Sequence, residues 1–183
     1  MIKYRIANSE DAENLLKTRY NAVVNCNTTK YPTTILHAWA PKINDESILA
    51  EKIALKDPDR ITIVAEDYKD DGKIQMVGFC TLILSKALET QGYVIPEYTR
   101  KGIGSELKNK IEIIAKNNGL NKLTISSSLI GFEFQKKNGY KPLYHYEYNL
   151  GDGLTMECVM MEKSLYNSTN NYWEKCKKRL KIF

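Results

Sequence analysis

Apolar residues recur along this chain with two different periods, and the switch between them falls on a pair of glycines. Ala87 to Val94 has the pattern of a strand, while Ile103, Leu107, Ile111 and Ile114 recur at steps of four, four and three, the spacing of one buried helical stripe. Asn118-Gly119 supplies the stop, so Gly102 and Gly104 stand at the start of this helix. Upstream, Ile2 to Ala7 reads as a strand, and Ser9 reads as the cap of a helix with an acidic first turn (Glu10, Asp11, Glu13) and with Ala12, Leu15, Leu16, Arg19 and Val23 along it. From Cys26 to Pro41 the pattern breaks up around Pro32 and Pro41, and Glu46 to Lys56 is helical again. Arg60 to Glu66 alternates as a strand, Asp70-Asp71-Gly72 turns the chain, and Ile74 to Leu84 leads into the strand before the glycines. Beyond the central helix, Leu123 and Ile125 share one face of a short strand, and a second helix with Ile130 and Phe134 in step stops at Asn138-Gly139. Tyr144, Tyr146 and Tyr148 alternate outward, Gly151-Asp152-Gly153 turns, and Met156, Cys158 and Met160 alternate back. The predicted order is β-α-α-β-β-β-α-β-α-β-β, an α/β (α+β) arrangement in which an antiparallel meander feeds a glycine loop.

Length and composition narrow the function classes. The 183 residues, 43% of them hydrophobic, suit one domain with a full core, set at residues 1–165, followed by a basic extension at 166–183 that is helical or frayed. Lys175, Lys177, Lys178, Arg179 and Lys181 against Glu174 put +4 of the formal +5 into the last ten residues. The body is thus nearly neutral, which argues against nucleic acid as a partner, and the tail reads as a solvated face rather than a phosphate or lipid anchor. There is no run of apolar residues long enough to span a membrane, and the N-terminus enters a strand pattern without a signal-peptide region, so a cytoplasmic protein is expected. Cys26, Cys80, Cys158 and Cys176 form no Cys-x-x-Cys pair, and His37 and His145 are not grouped with acids, so neither a metal nor a disulfide framework is expected.

The chemistry concentrates at the glycine loop. The first turn of a helix has amides without internal partners and carries the positive end of the macrodipole, and glycine lets an anion approach the backbone. Arg100 and Lys101 add positive charge at the mouth, which suits a phosphate or pyrophosphate better than a lone carboxylate. A P-loop would need a lysine after the second glycine, and the dinucleotide fingerprint would need a third glycine where Leu107 stands. The stretch Val94-Ile95-Pro96 followed by Arg100-Lys101-Gly102-Ile103-Gly104 resembles instead the acetyl-coenzyme A loop of the GNAT superfamily of N-acetyltransferases, Gln/Arg-x-x-Gly-x-Gly/Ala after a strand ending Val-x-Pro, with Thr99 in the first slot. Ser127-Ser128-x-x-Gly131-x-x-Phe134-Gln135-Lys136-Lys137-Asn138-Gly139-Tyr140 is similar to a second family segment, and Gln135 stands where the family has a tyrosine that protonates the departing thiolate.

The resemblance implies a mixed, mostly antiparallel central sheet with a splayed cofactor cleft and helices on both faces. It implies acetyl-coenzyme A as co-substrate, without a metal, and a small-molecule or peptide amine as acceptor, in a monomer or homodimer. Backbone groups near Val94 and Ile95 would hold the pantetheine arm, the amides of Lys101, Gly102, Ile103, Gly104 and Ser105 the pyrophosphate, with Ser127 and Phe134 alongside. The early helices would cover the acceptor side, making Tyr31, His37 and Trp39 candidate substrate contacts, against packing under a loop for Trp39. Glu89 is the candidate base, since it precedes the end of the cofactor strand and a carboxylate can relay a proton through water; a solvated strand carboxylate is the competing reading. Strand alternation puts Glu89, Gln91 and Tyr93 on one face unless a bulge intervenes. Tyr140 and Tyr144 follow the second helix closely and are candidates for the acid, against ordinary core or hairpin packing. The alternative to an enzyme is a non-catalytic acyl-coenzyme A-binding sensor or interaction domain of the same fold, for which Gln135 is the argument.

Overall fold

The computed structural model describes residues 1–166. Strand β1 (Ile2–Ile6) is followed by helices α1 (Ala12–Val24), α2 (Thr33–Trp39) and α3 (Asp45–Ala54), then by strands β2 (Arg60–Tyr68), β3 (Ile74–Ile83) and β4 (Leu88–Val94). Helix α4 (Ile103–Asn117), strand β5 (Lys122–Ser128), helix α5 (Phe132–Lys137) and strands β6 (Lys141–Gly151) and β7 (Leu154–Ser164) complete it. The strands form one seven-stranded sheet in the order β1-β2-β3-β4-β5-β7-β6. Its pairings are antiparallel except β4 with β5, so the sheet is mixed and mostly antiparallel as expected.

Two apolar layers flank it. On one face Ile103, Leu107, Ile111 and Ala115 of α4 pack on Ile63, Ala65, Leu82, Leu123, Ile125, Val159 and Met161. On the other, Leu15 of α1 meets Val64 and Phe79, and Val23, Tyr31 and Leu36 meet Met156 and Cys158. Because β7 is covered on both faces, its Met156 and Cys158 point one way and its Val159 and Met161 the other, so both sides are buried rather than the single face that Met156, Cys158 and Met160 suggested.

Two local expectations are corrected. The cap before α1 is Asn8, whose side chain accepts from the Glu10 amide at 2.9 Å while the Asp11 carboxylate accepts from the Asn8 amide at 2.8 Å; Ser9 to Asp11 form a 3₁₀ turn instead of the first α-helical turn. The broken stretch from Cys26 to Pro41 contains α2, a helix too short for its periodicity to be read. It starts after Pro32, whose carbonyl accepts from the Ile35 and Leu36 amides, and stops at Ala40, which the following Pro41 holds extended. Of the basic extension only Tyr166 is among the described residues. Among those residues no helix is long and apolar enough to cross a membrane.

Candidate functional site

The site originates in a mismatch between β4 and β5. They pair only at Leu88 with Thr124 and Glu89 with Ile125, although β4 runs on to Val94 and β5 to Ser128, so the two strands part beyond that point. A bulge accompanies the divergence: on β3, Thr81 pairs with Gln91 but Leu82 with Glu89, which leaves Thr90 extra. The bulge breaks the alternation read from sequence. Glu89 faces α4, whereas Tyr93 packs on the opposite side against Phe79 and Trp39, with ring centroids 5.5 and 6.0 Å away.

The parted strands free one edge of β4. Ile95 donates its amide to Val77 at 3.0 Å and its carbonyl accepts from Tyr98, so the expectation that Ile95 offers backbone groups to a ligand is corrected. Its side chain is buried in the core. By strand alternation Gly92 and Val94 direct their backbone groups to the other side, into the gap. A ligand with amides of its own can pair there as a surrogate strand.

The gap opens on a cavity of about 520 Å³ that runs along β4 to the start of α4 and includes Val94, Arg100, Gly102, Gly104, Ser105 and Phe134 in its walls. Gly102 holds the left-handed conformation at φ 82°, and no described side chain caps the helix. Glu106 donates to the Gly102 carbonyl, so the amides of Ile103, Gly104 and Ser105 precede the first intrahelical bond and are left for an anion. Arg100 also has positive φ, 58°, a conformation rare outside glycine that is kept where a site needs the loop shape. A Cβ at Gly104 would come within 3.1 Å of Cζ of Phe134, a tight contact that this exposed ring would have to ease. Lys101 lies over the Tyr98 ring at 4.6 Å, and Ile103 contributes backbone only, its side chain being in the core. Ser127 is buried and lines a second cavity of about 180 Å³ inside the gap.

Glu89 is not solvated. It is 1% exposed and accepts from Nζ of Lys108, itself 3% exposed, at 2.7 Å on both oxygens. Tyr140, 2% exposed, donates its hydroxyl to the same carboxylate at 3.2 Å. Burial first, then the neighbouring Glu89 charge, pushes the Tyr140 phenol well up, so it stays protonated as the donor. The carboxylate is held in a buried ion pair with Lys108 that borders the larger cavity, and Tyr140 supports it from the core, outside that cavity. Tyr144 is 57% exposed on the outer strand β6, against Tyr146, and lines none of the three cavities described here. Neither tyrosine thus occupies the place expected of an acid.

On the α1 face a third cavity of about 250 Å³ lies between Arg19, Trp39, Gln91, Tyr93, Ser126 and Tyr148. Of the expected acceptor contacts, Trp39 reaches it, while His37 is exposed outside it. Tyr31 is buried and structural: it donates to the Glu157 carbonyl at 2.5 Å and accepts from the Leu129 amide at 2.7 Å. Burial pushes its phenol up to about 12. Tyr93 lines all three cavities, and burial raises its phenol too, against the pull of Arg19.

Sequence reasoning missed Arg19, Lys108 and Tyr93. Lys108 carried a readable signal, since it sits beside Leu107 and one turn from both Gly104 and Ile111, on the buried stripe. Gln135 is 7% exposed and lines both the larger cavity and the gap, and its Oε1 has no partner among the described residues.

Comparison with known proteins gives a consistent picture. The model of the acetyltransferase (GNAT) family matches residues 20–136. No curated protein matches. Among solved structures, a GCN5-related N-acetyltransferase from Rhodopseudomonas palustris is similar with a TM-score of 0.74 and 24% identity, over 88% of this chain and 94% of that one. The PaiA N-acetyltransferase of Thermoplasma acidophilum, in complex with coenzyme A, has a TM-score of 0.68 and 25% identity, over 90% and 99%. YncA from Salmonella typhimurium with its cofactor acetyl-CoA shares the fold at a TM-score of 0.65 and 15% identity, over 91% and 95%.

Proposed function

Because the chain belongs to the acetyltransferase (GNAT) family, we propose that it transfers the acetyl group of acetyl-coenzyme A to a primary amine. The observation that carries this reading is the gap between β4 and β5 leading to the uncapped start of α4. It offers, in one line, a strand edge for an amide-bearing arm and amides for a pyrophosphate. Acetyl-coenzyme A supplies the activated thioester. Gly92 and Val94 orient its arm, the amides from Ile103 to Ser105 with Arg100 hold its phosphates, and the amine enters from the cavity beside Trp39.

Proton handling in this reading departs from the candidates read in the sequence. Glu89 holds the bulge through Lys108 and acts as a positioning residue. We assign proton donation to Tyr93, which borders the cofactor cavity and the acceptor cavity alike and whose phenol burial keeps protonated. A non-catalytic acyl-coenzyme A sensor is favoured by one observation, Gln135 in the place of the family's tyrosine, buried where it lines both the cofactor cavity and the small cavity in the gap. Incubation with acetyl-coenzyme A and a panel of amines separates the readings. The enzyme releases free thiol in step with acetylated amine, and the sensor binds the cofactor without release.

A further inference from the structure

We propose that the acceptor is a small amine that also carries a carboxylate, and that Arg19 is the residue that recognises it. This rests on the acetyltransferase reading and names the substrate class of the same site. The walls of the small cavity in the gap and of the cavity on the α1 face contain, among the described residues, one charged side chain, Arg19, and no acid. Their remaining polar groups are neutral donors and acceptors such as Thr90, Gln91, Ser126, Ser128 and Tyr148. A polyamine would meet a cation here with no anion to offset its own charge.

Arg19 is prepared for an anion. Arg5 is saturated by Asp11 and Glu66, and Arg60 pairs with Glu51, whereas Arg19 is anchored through a neutral group, donating from Nη2 to the Trp39 carbonyl at 3.1 Å. Its Nε is buried without a hydrogen-bond partner among the described residues. Its guanidinium lies 5.7 Å from the centre of the Tyr93 ring, which holds the fork over the side chain that also borders the cofactor cavity. A planar guanidinium that spends one Nη2 hydrogen bond on a neutral carbonyl and borders a cavity of about 250 Å³ matches a carboxylate on a molecule the size of an amino acid. Such a carboxylate would aim the amine on the same molecule at the gap between β4 and β5.

The test uses the whole chain with matched acceptors, phenylalanine against phenethylamine and β-alanine against ethylamine, with spermidine as the polycation. Acetyl-coenzyme A affinity is measured first by calorimetry, which tests the parent reading alone. The carboxylate member of each pair is expected to show at least a tenfold higher kcat/KM, through KM, and Arg19→Gln is expected to abolish the preference while cofactor affinity and melting temperature hold. Arg19→Lys should restore part of it. Because turnover itself is a proposal, binding of N-acetylphenylalanine against N-acetylphenethylamine in the presence of coenzyme A is measured as well. Selective binding of the acid that Arg19→Gln removes supports the assignment even without turnover. Equal binding of the two, failure of both to bind, a preference for spermidine, or a preference that survives Arg19→Gln overturns it.

Discussion

Replacing Lys108 by Met should reveal how strongly the cleft depends on the ion pair beneath it. Lys108 Nζ contacts both oxygens of Glu89 at 2.7 Å, and both side chains are almost completely removed from water. Methionine fills similar volume but leaves the carboxylate with the Tyr140 hydroxyl at 3.2 Å as its remaining named donor. Removing one partner of a buried pair costs about 3–5 kcal/mol, because the other charge stays desolvated and uncompensated. For a domain of this size about 1 kcal/mol moves the melting temperature by roughly 2–4 °C, so a fall of about 6–20 °C is expected. The double change Glu89→Gln with Lys108→Met removes both charges, keeps an oxygen for Tyr140, and should recover most of the loss. Thermal and urea unfolding of Lys108→Met, Glu89→Gln and the double variant provide the measurement. A Lys108→Met protein within about 0.5 kcal/mol of the parent, or a double variant less stable than either single one, would refute the reasoning.

Four further outcomes follow from the site and its supports. Gly104→Val should weaken acetyl-coenzyme A binding about tenfold or more, since the added carbons strike Phe134 and block approach to the loop amides; calorimetry on the folded variant reads this directly. Tyr140→Phe should lower stability by about 1.5 kcal/mol through the lost bond to Glu89 without a specific loss of turnover, while Tyr144→Phe should change neither; a tenfold rate loss at either, with stability held, would return it to candidacy as the acid. Tyr93→Phe should reduce kcat by about 10²-fold or more with cofactor affinity unchanged, measured by thiol release. The Arg5 hydrogen bond holds the Asp11 carboxyl below its usual 3.8. Its contribution to stability is thus present above that pH and lost as pH falls through the depressed value, so Asp11→Asn should flatten the acid limb of a melting-temperature profile.

The sequence made legible what repeats and what is punctuated. The stripe from Ile103 to Ile114 and the glycines before it located α4 and its N-terminal cradle, because a helix face and its cap are encoded within a few neighbouring residues. The alternation of Tyr144, Tyr146 and Tyr148 likewise announced β6. What stayed hidden depends on residues far apart in the chain. The bulge at Thr90 is visible only when β4 is laid against β3, and it moved Glu89 and Tyr93 to opposite faces. The Glu89–Lys108–Tyr140 cluster draws on β4, α4 and the turn before β6, and no local pattern links them. Arg19 reads in sequence as one polar position on an amphipathic helix; the carbonyl of Trp39, in the stretch where periodicity failed, turns it toward a cavity.

The most direct test of the central claim is a single incubation of the full chain with acetyl-coenzyme A and the amine panel, followed by mass spectrometry of the amines and a thiol assay on the same sample. The account predicts at least one amine heavier by one acetyl group, with free coenzyme A released in equal amount. It predicts that Gly104→Val lowers both signals at cofactor concentrations near the Kd of the parent protein. Failure of the chain to bind acetyl-coenzyme A, or thiol release that Gly104→Val leaves unchanged, would contradict it.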